Sequence, residues 1–258
     1  MRLSVDDCLG LIESHTRALA AAAAGHLDAR VEHCPDWSVG DLVHHLTEVH
    51  SFWEYVARTR PAQPPEDRPS VERLPDADLV DGMLAAMERL VGTLRLADQD
   101  AACWTWGLEE DVRFITRHQV QEAAIHHFDA VNATGVGAWA MDPVAAMDAV
   151  DEFLTHSVAN RRWPNPDAEP MGGTFWYASR DEHGASAAWF VFDGDQPGTI
   201  GHTVVVGPEA RQVAGLAVGG SGRPQELLLW LYRRGDLPFA ATGDGAVLDR
   251  FRAFTSTD

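Results

Sequence analysis

Cysteine is scarce: the chain has three, Cys8, Cys34 and Cys103. Their number is odd and they show no CxxC spacing, which argues against a disulfide framework or a cysteine-rich zinc site. They fall in an expected helix, a loop and a turn with no partnering histidine, so they read as ordinary thiols, and a reducing cytoplasm is the expected location. Basic residues are also few, with 20 Lys and Arg against 39 Asp and Glu, a net charge of −19. Such a surplus repels nucleic-acid phosphates and anionic lipid surfaces, so neither is an expected partner. Long apolar runs are missing as well. The alanine-rich stretch 19–24 follows Asp6, Asp7 and Glu13 and falls far short of the roughly 20 residues of a membrane span, so it is read as helix and not as signal peptide or anchor. No targeting signal, internal repeat or other low-complexity segment is visible.

What remains is a chain of 258 residues, 45% of them hydrophobic, enough to bury a sizeable core in one large domain or two modest ones. Ser4 with Asp7 has the form of a capping box and opens a helix to about Ala24, which Gly25 ends. After the break at Pro35-Asp36-Trp37, Ser38 with Asp41 makes a second capping box for a helix to about Thr59. Residues 60–75 hold five prolines, which no helix interior tolerates, so this is a loop. Leu79, Met83, Met87, Leu90 and Leu94 mark a third helix over about 76–97. A fourth covers about 111–132, and Asp142 with Pro143 in the first turn starts a fifth to about Asn160. Long helices with short to moderate loops suggest a bundle, whose metal sites are built from inward-facing side chains on different helices.

The pattern changes after the linker 162–167. Residues 174–178, 187–192 and 203–206 are short, β-branched or aromatic, and divided by Gly, Asp and Pro turns, so they read as strands. Residues 212–218 alternate weakly as a further strand. Residues 224–232 read as a helix with Ser221 as its cap, and 246–254 as a short closing helix.

Two of the helices place metal-ligand side chains where apolar ones belong. At about 100° per residue, Leu42, Leu46, Val49, Phe52 and Trp53 all fall within about 100° of His45, so its imidazole lies in the apolar stripe, with His44 at the edge. Trp37 reads as a staple at the entry of that helix. In the segment 117–129, Glu122 and His126 are one turn apart on one face, between Ile115 and Ile125. A carboxylate and two imidazoles directed into a core are costly unless compensated, and a metal ion compensates them directly. Two histidines and a glutamate leave a zinc ion an open position, a catalytic type of site able to activate a bound oxygen or sulfur nucleophile or polarise a carbonyl. The spacing is not that of a metalloprotease HExxH helix, since the glutamate here is a ligand and not a base. Plainer readings exist. Glu and His four apart often form a surface ion pair, and the doublets His44-His45 and His126-His127 leave the register open. His118, one turn before Glu122, also offers the rival set His118, Glu122 and His126. Asp129 shares that face as an acceptor that orients an imidazole, or as a plain structural hydrogen bond.

The segment Cys34-Pro35-Asp36-Trp37-Ser38-Val39-Gly40-Asp41-Leu42-Val43-His44-His45-Leu46 resembles the Pro-x-Trp-Ser/Thr-x-x-Asp-Leu-x-x-His-Leu segment of the mycothiol-dependent maleylpyruvate isomerase family. Glu122-Ala123-Ala124-Ile125-His126-His127-Phe128-Asp129-Ala130 is similar to that family's Glu-x-x-x-His-x-x-Asp-Ala segment. The resemblance covers nearly the whole chain. It implies an α plus α/β two-domain protein, with a DinB-like four-helix bundle over residues 1–162 and a small α+β, sterol-carrier-like domain over residues 168–258. It implies that His45, Glu122 and His126, and not His44 or His127, bind a divalent metal, usually zinc, at the open end of the bundle. One position departs: many relatives carry His just before the glutamate, where this chain has Gln121, whose side chain projects about 100° from Glu122. The family also brings an arginine after the apolar helix of its small domain to the metal. In Leu229-Trp230-Leu231-Tyr232-Arg233-Arg234-Gly235 the better match is Arg234, with Arg233 the alternative. A guanidinium suits a carboxylate, whereas either arginine taken alone also reads as a solvated charge at a helix C-terminus.

The resemblance thus implies a zinc-dependent, mycothiol-using enzyme, either an S-transferase or a cis–trans isomerase of an electrophilic, carboxylate-bearing small molecule. Metal-bound sulfur is held as thiolate, the form a thiol nucleophile requires. The expected partners are that substrate and a low-molecular-weight thiol, and the expected state is a monomer or small homo-oligomer. The competing reading is a non-enzymatic, metal-stabilised small-molecule-binding or interaction module whose second domain holds an apolar ligand. The intact ligand triad argues against it.

Overall fold

A computed structural model describes residues 2–68, 70–180, 186–207, 218–240 and 243–255. The chain divides into two compact units, Leu3–Ala140 and Met141–Asp258. The first is a four-helix bundle of α1 (Val5–Ala23), α2 (Val39–Thr59), α3 (Asp76–Leu96) and α4 (Val112–Thr134). Each start has a local cause. The Ser4 hydroxyl accepts from the Asp7 amide, Ser38 and Asp41 form a reciprocal capping box, and the Asp111 carboxylate accepts from the Phe114 amide. Gly135 takes up α4's last turn at a left-handed φ of 66°. Around the bundle the neighbours run α1, α4, α2, α3, so the consecutive helices α1 and α2 lie across the diagonal. Leu19, Leu42, Val43, Leu46, Leu79, Met83 and Ala130, one or more from every helix, are buried together at one part of its core.

In the second unit, α5 (Pro143–His156) packs against α6 (Pro224–Leu231) and against the strand Ile200–Val206. Phe153 of α5 meets the ring of Tyr232 edge-on at 4.9 Å. The sequence reading carries this helix to about Asn160 and counts it with the first domain; the structure ends it at His156 and places it here. A period of 3.6 shows that a helix has an apolar face but not which partner covers it. The sheet contains β1 (Phe175–Arg180), β2 (Ser186–Asp193), β3 (Ile200–Val206) and β4 (Val218–Gly222) in the order β3-β2-β1-β4, antiparallel except for the parallel pair β1 and β4. Three strands fall where the β-branched and aromatic runs between turns predict them. Of the fourth, 212–217 lie outside the described residues and Val218 opens β4. Ser221, read as a helix cap, pairs with Ala178 in the β1–β4 ladder instead, and Arg223 caps α6 ahead of Pro224. Gly219 is required there because a Cβ would lie 2.1 Å from the Trp176 carbonyl oxygen. Phe175 carries the core between sheet and helices, stacking near Trp230, Phe239 and Phe251. The closing helix α7 (Ala246–Phe251) tightens into a 3₁₀ turn, Arg252–Phe254. Among the described residues, no helix is long and apolar enough to cross a membrane.

Candidate metal centre

The entry to α2 is tied down before its first turn. Trp37 donates its amide to Cys34 and accepts from Val31, and the Gly40 amide donates to Leu27. This fixes the Trp37 ring 4.8 Å from the His45 ring and 6.4 Å from His126. The tryptophan is thus more than a helix-entry staple, because it packs on both imidazoles. From α2 comes His45, and from α4 come Glu122 and His126. One ligand atom from each lies within 4.8 Å of the other two, the only group of three such donors among the described residues.

Hydrogen bonds define what each member can do. Glu122 lies between two imidazoles of its own helix, with Oε1 3.1 Å from His118 Nε2 and Oε2 3.5 Å from His126 Nε2. Asp129 Oδ2 stands 3.2 Å from His126 Nδ1 and accepts its proton, which leaves Nε2 facing Glu122. His45 contributes the unpartnered atom: its Nε2 is buried with no hydrogen-bond partner among the described residues. A buried ring nitrogen without a partner is costly, and a metal ion between His45, Glu122 and His126 would satisfy it. At zinc bond lengths of about 2.1 Å two ligand atoms stand at most about 4 Å apart, so the donors need to close by little. The residues therefore fit the metal that the resemblance implies.

The protonation states agree in part. Burial lowers the pKa of His45 to about 4, with the neighbouring His126 adding to the effect, so it is a neutral donor at pH 7. Burial alone would raise the Glu122 carboxyl, but the hydrogen bonds from His118 and His126 outweigh it and hold the group ionised well below its ordinary range. Burial likewise opposes a charge on His126, yet Asp129 and Glu122 raise it to about 9. In the metal-free protein His126 carries the proton that an ion would displace.

The other member of each doublet faces a different neighbour. His44 sits beside Glu48 at 3.8 Å on the outer side of α2, and His127 Nδ1 is 3.0 Å from His15 Nδ1 across to α1. His118 reaches Glu122 but stands outside the triad. Arg234 belongs to the second unit, is only 5% exposed, and donates Nη1 to the Tyr232 carbonyl at 2.8 Å. Arg233 is exposed, adopts a left-handed φ of 62°, and donates to the Arg252 carbonyl. Sequence reasoning passed over His50, fully buried, whose Nδ1 is 2.8 Å from Gln119 Oε1 and whose Nε2 is 3.3 Å from Thr16 Oγ1. A signal was there: Leu46, His50 and Trp53 continue one stripe of α2.

Residues 9–131 match the family model of the mycothiol maleylpyruvate isomerase N-terminal domain. This stretch, a little under half of the chain, carries a domain similar to the N-terminal domain of the mycothiol maleylpyruvate isomerase family. The matched stretch holds all three candidate ligands. Two solved structures share the fold: a mycothiol-dependent maleylpyruvate isomerase, with a TM-score of 0.56, and a histidine-to-alanine mutant of a protein of that name, with 0.58. Each is 14% identical and aligned over 93% of both chains, a likeness of fold across both units. No curated protein matches the chain.

Proposed function

We propose that this protein is a zinc-dependent enzyme that joins mycothiol to an electrophilic, carboxylate-bearing small molecule, either keeping the thioether as an S-transferase or releasing the thiol after bond rotation as a cis–trans isomerase. The observation that carries the reading is the buried His45 Nε2, without a partner among the described residues and within reach of Glu122 and His126, in a domain similar to that of this family. A zinc ion supplies Lewis acidity that favours thiolate over thiol at neutral pH and polarises a carbonyl. The chain's own residues prepare the place. His45 stays neutral, Glu122 stays ionised, and Asp129 holds the Nδ1 proton of His126 so that Nε2 is the donor. Arg234 is the proposed partner of the substrate carboxylate, through the planar fork that a lysine lacks. The three thiols are all buried, which suits a cytoplasmic setting. Zinc in place of another divalent ion rests on the mixed nitrogen and oxygen donors. The test is a screen of unsaturated and otherwise electrophilic carboxylates with purified mycothiol, following thiol consumption and isomer formation separately. The expected result is turnover of at least one of them that needs mycothiol and stops with a chelator. Turnover indifferent to both would sink the proposal.

A further inference from the structure

We infer that His118 is a positioning residue that commits Glu122 to binding the metal through one carboxylate oxygen. This rests on the reading of His45, Glu122 and His126 as the metal's ligands. His118 lies one turn before Glu122 on α4, with its Nε2 3.1 Å from Oε1. A carboxylate only accepts, so Nε2 carries the proton and donates it. The other oxygen, Oε2, faces His126 Nε2 at 3.5 Å. The two oxygens are thereby assigned different partners: Oε1 is engaged by His118, and Oε2 is left facing His126.

The surroundings keep His118 in that role. Its ring, 5% exposed, lies face to face with Phe114 at 5.3 Å and 11°. Trp106 meets it edge-on at 4.9 Å, and Trp53 meets it at 6.1 Å and 71°. Three aromatic side chains, one on its own helix, one on α2 and one on the segment before α4, hinder the imidazole from swinging away. For Glu122 to bind an ion with both oxygens, Oε1 would have to leave this donor. His118 therefore lowers the number of protein donors on the metal and keeps positions open for a thiol and a substrate. A partner that orients a ligand in this way typically changes metal affinity about 10–100-fold when removed.

The experiment uses the full chain and two variants, His118→Phe, which keeps a ring in the aromatic box, and His118→Gln, whose amide can donate to Oε1. Zinc affinity is measured by competition with a chelator, and cobalt(II) is loaded as a probe whose visible absorption weakens as coordination rises above four. The expected result is about 10–100-fold weaker zinc binding in His118→Phe, with a weaker cobalt band, and recovery of both to within a few-fold in His118→Gln. An independent reading comes from the wild type by nitrogen-15 NMR. The Nε2 of His118 should keep its proton when zinc is added. Unchanged affinity and spectrum in His118→Phe, or loss of the His118 Nε2 proton on metal binding, would overturn the inference. The second result would make His118 a ligand. A wild type that takes up neither ion would remove the metal reading itself and this inference with it, a result distinct from normal uptake with a silent His118→Phe.

Discussion

Glu122 draws its character from position and not from type. On an exposed helix face a glutamate four residues from a histidine on each side forms weak ion pairs; here the carboxylate is enclosed, and His118 and His126 each address one oxygen. Replacing it with Gln keeps the shape and removes the charge. We expect Glu122→Gln to keep the bundle folded but to lose zinc by tenfold or more in affinity, checked by metal analysis after dialysis against a mild chelator. Full occupancy after that treatment would exclude Glu122 as a ligand. For Arg234, the proposed substrate contact predicts that Arg234→Lys lowers turnover or raises the Michaelis constant, since a point charge cannot reproduce a two-pronged contact. Equal parameters for both proteins would leave this arginine a structural role only. The candidate triad was legible only in part from the residues: both helices place ligand types on faces otherwise apolar, but the family resemblance, and not periodicity, chose among the doublets and His118. The partners of His15 and His50 were not, since His15 with His127 and His50 with Thr16 and Gln119 meet across helices whose neighbours periodicity does not name.

At the scale of the element, α2 shows how a local signal fixes a candidate ligand. The Ser38 hydroxyl accepts from the Asp41 amide, and Asp41 accepts from the Ser38 amide at 2.8 Å and from Arg73 at 2.6 Å. This sets where α2 begins and so which face carries His45, two turns on. We expect Ser38→Ala to cost about 1 kcal/mol and to lower the melting temperature by about 2–4 °C, with zinc stoichiometry unchanged because the core clamps the second turn. A melting temperature within half a degree of the parent would show the box to be redundant with the Leu27 and Ala29 contacts of the first turn. The same signals made α1 to α4 readable within a residue or two, since caps and apolar stripes are local facts. The helix α5 and the strand β4 were less so for a common reason. Whether α5 rests on the bundle or on α6, and whether Ser221 pairs in a ladder or caps a helix, depends on residues 70 or more positions away or across the sheet in β1.

For the whole molecule, two properties follow from how much ionisable chemistry is buried. The first concerns the nucleophile. All three thiols are buried, and burial raises the Cys103 thiol to about 11, so it is almost wholly protonated at neutral pH. Turnover should therefore need an added low-molecular-weight thiol and survive Cys103→Ser, whereas a protein-borne nucleophile would reverse both results. The second concerns pH. Burial lowers His15, His45 and His50 to about 4, against an unfolded value near 6.5. Between those limits the unfolded chain takes up protons that the native state refuses, so stability falls as the pH falls from about 6.5, by up to about 1.4 kcal/mol per pH unit for each histidine. Above about pH 5 most carboxylates are ionised in both states, which leaves the slope there to the histidines. His126, raised to about 9, has the opposite sign. It stabilises the metal-free protein below about 6.5, and that contribution is lost as the pH rises through 9. The metal-free protein should thus be most stable near neutrality and weaken on both sides. Zinc, which competes with the His126 proton, should abolish the alkaline decline because ion binding strengthens as that proton leaves. Urea midpoints from pH 5 to 9, with and without zinc, measure both limbs. His50→Gln should flatten the acid limb by about one proton's worth of slope and leave the alkaline limb alone. An acid limb of unchanged slope in that variant would mean that His50 does not stay neutral in the native core.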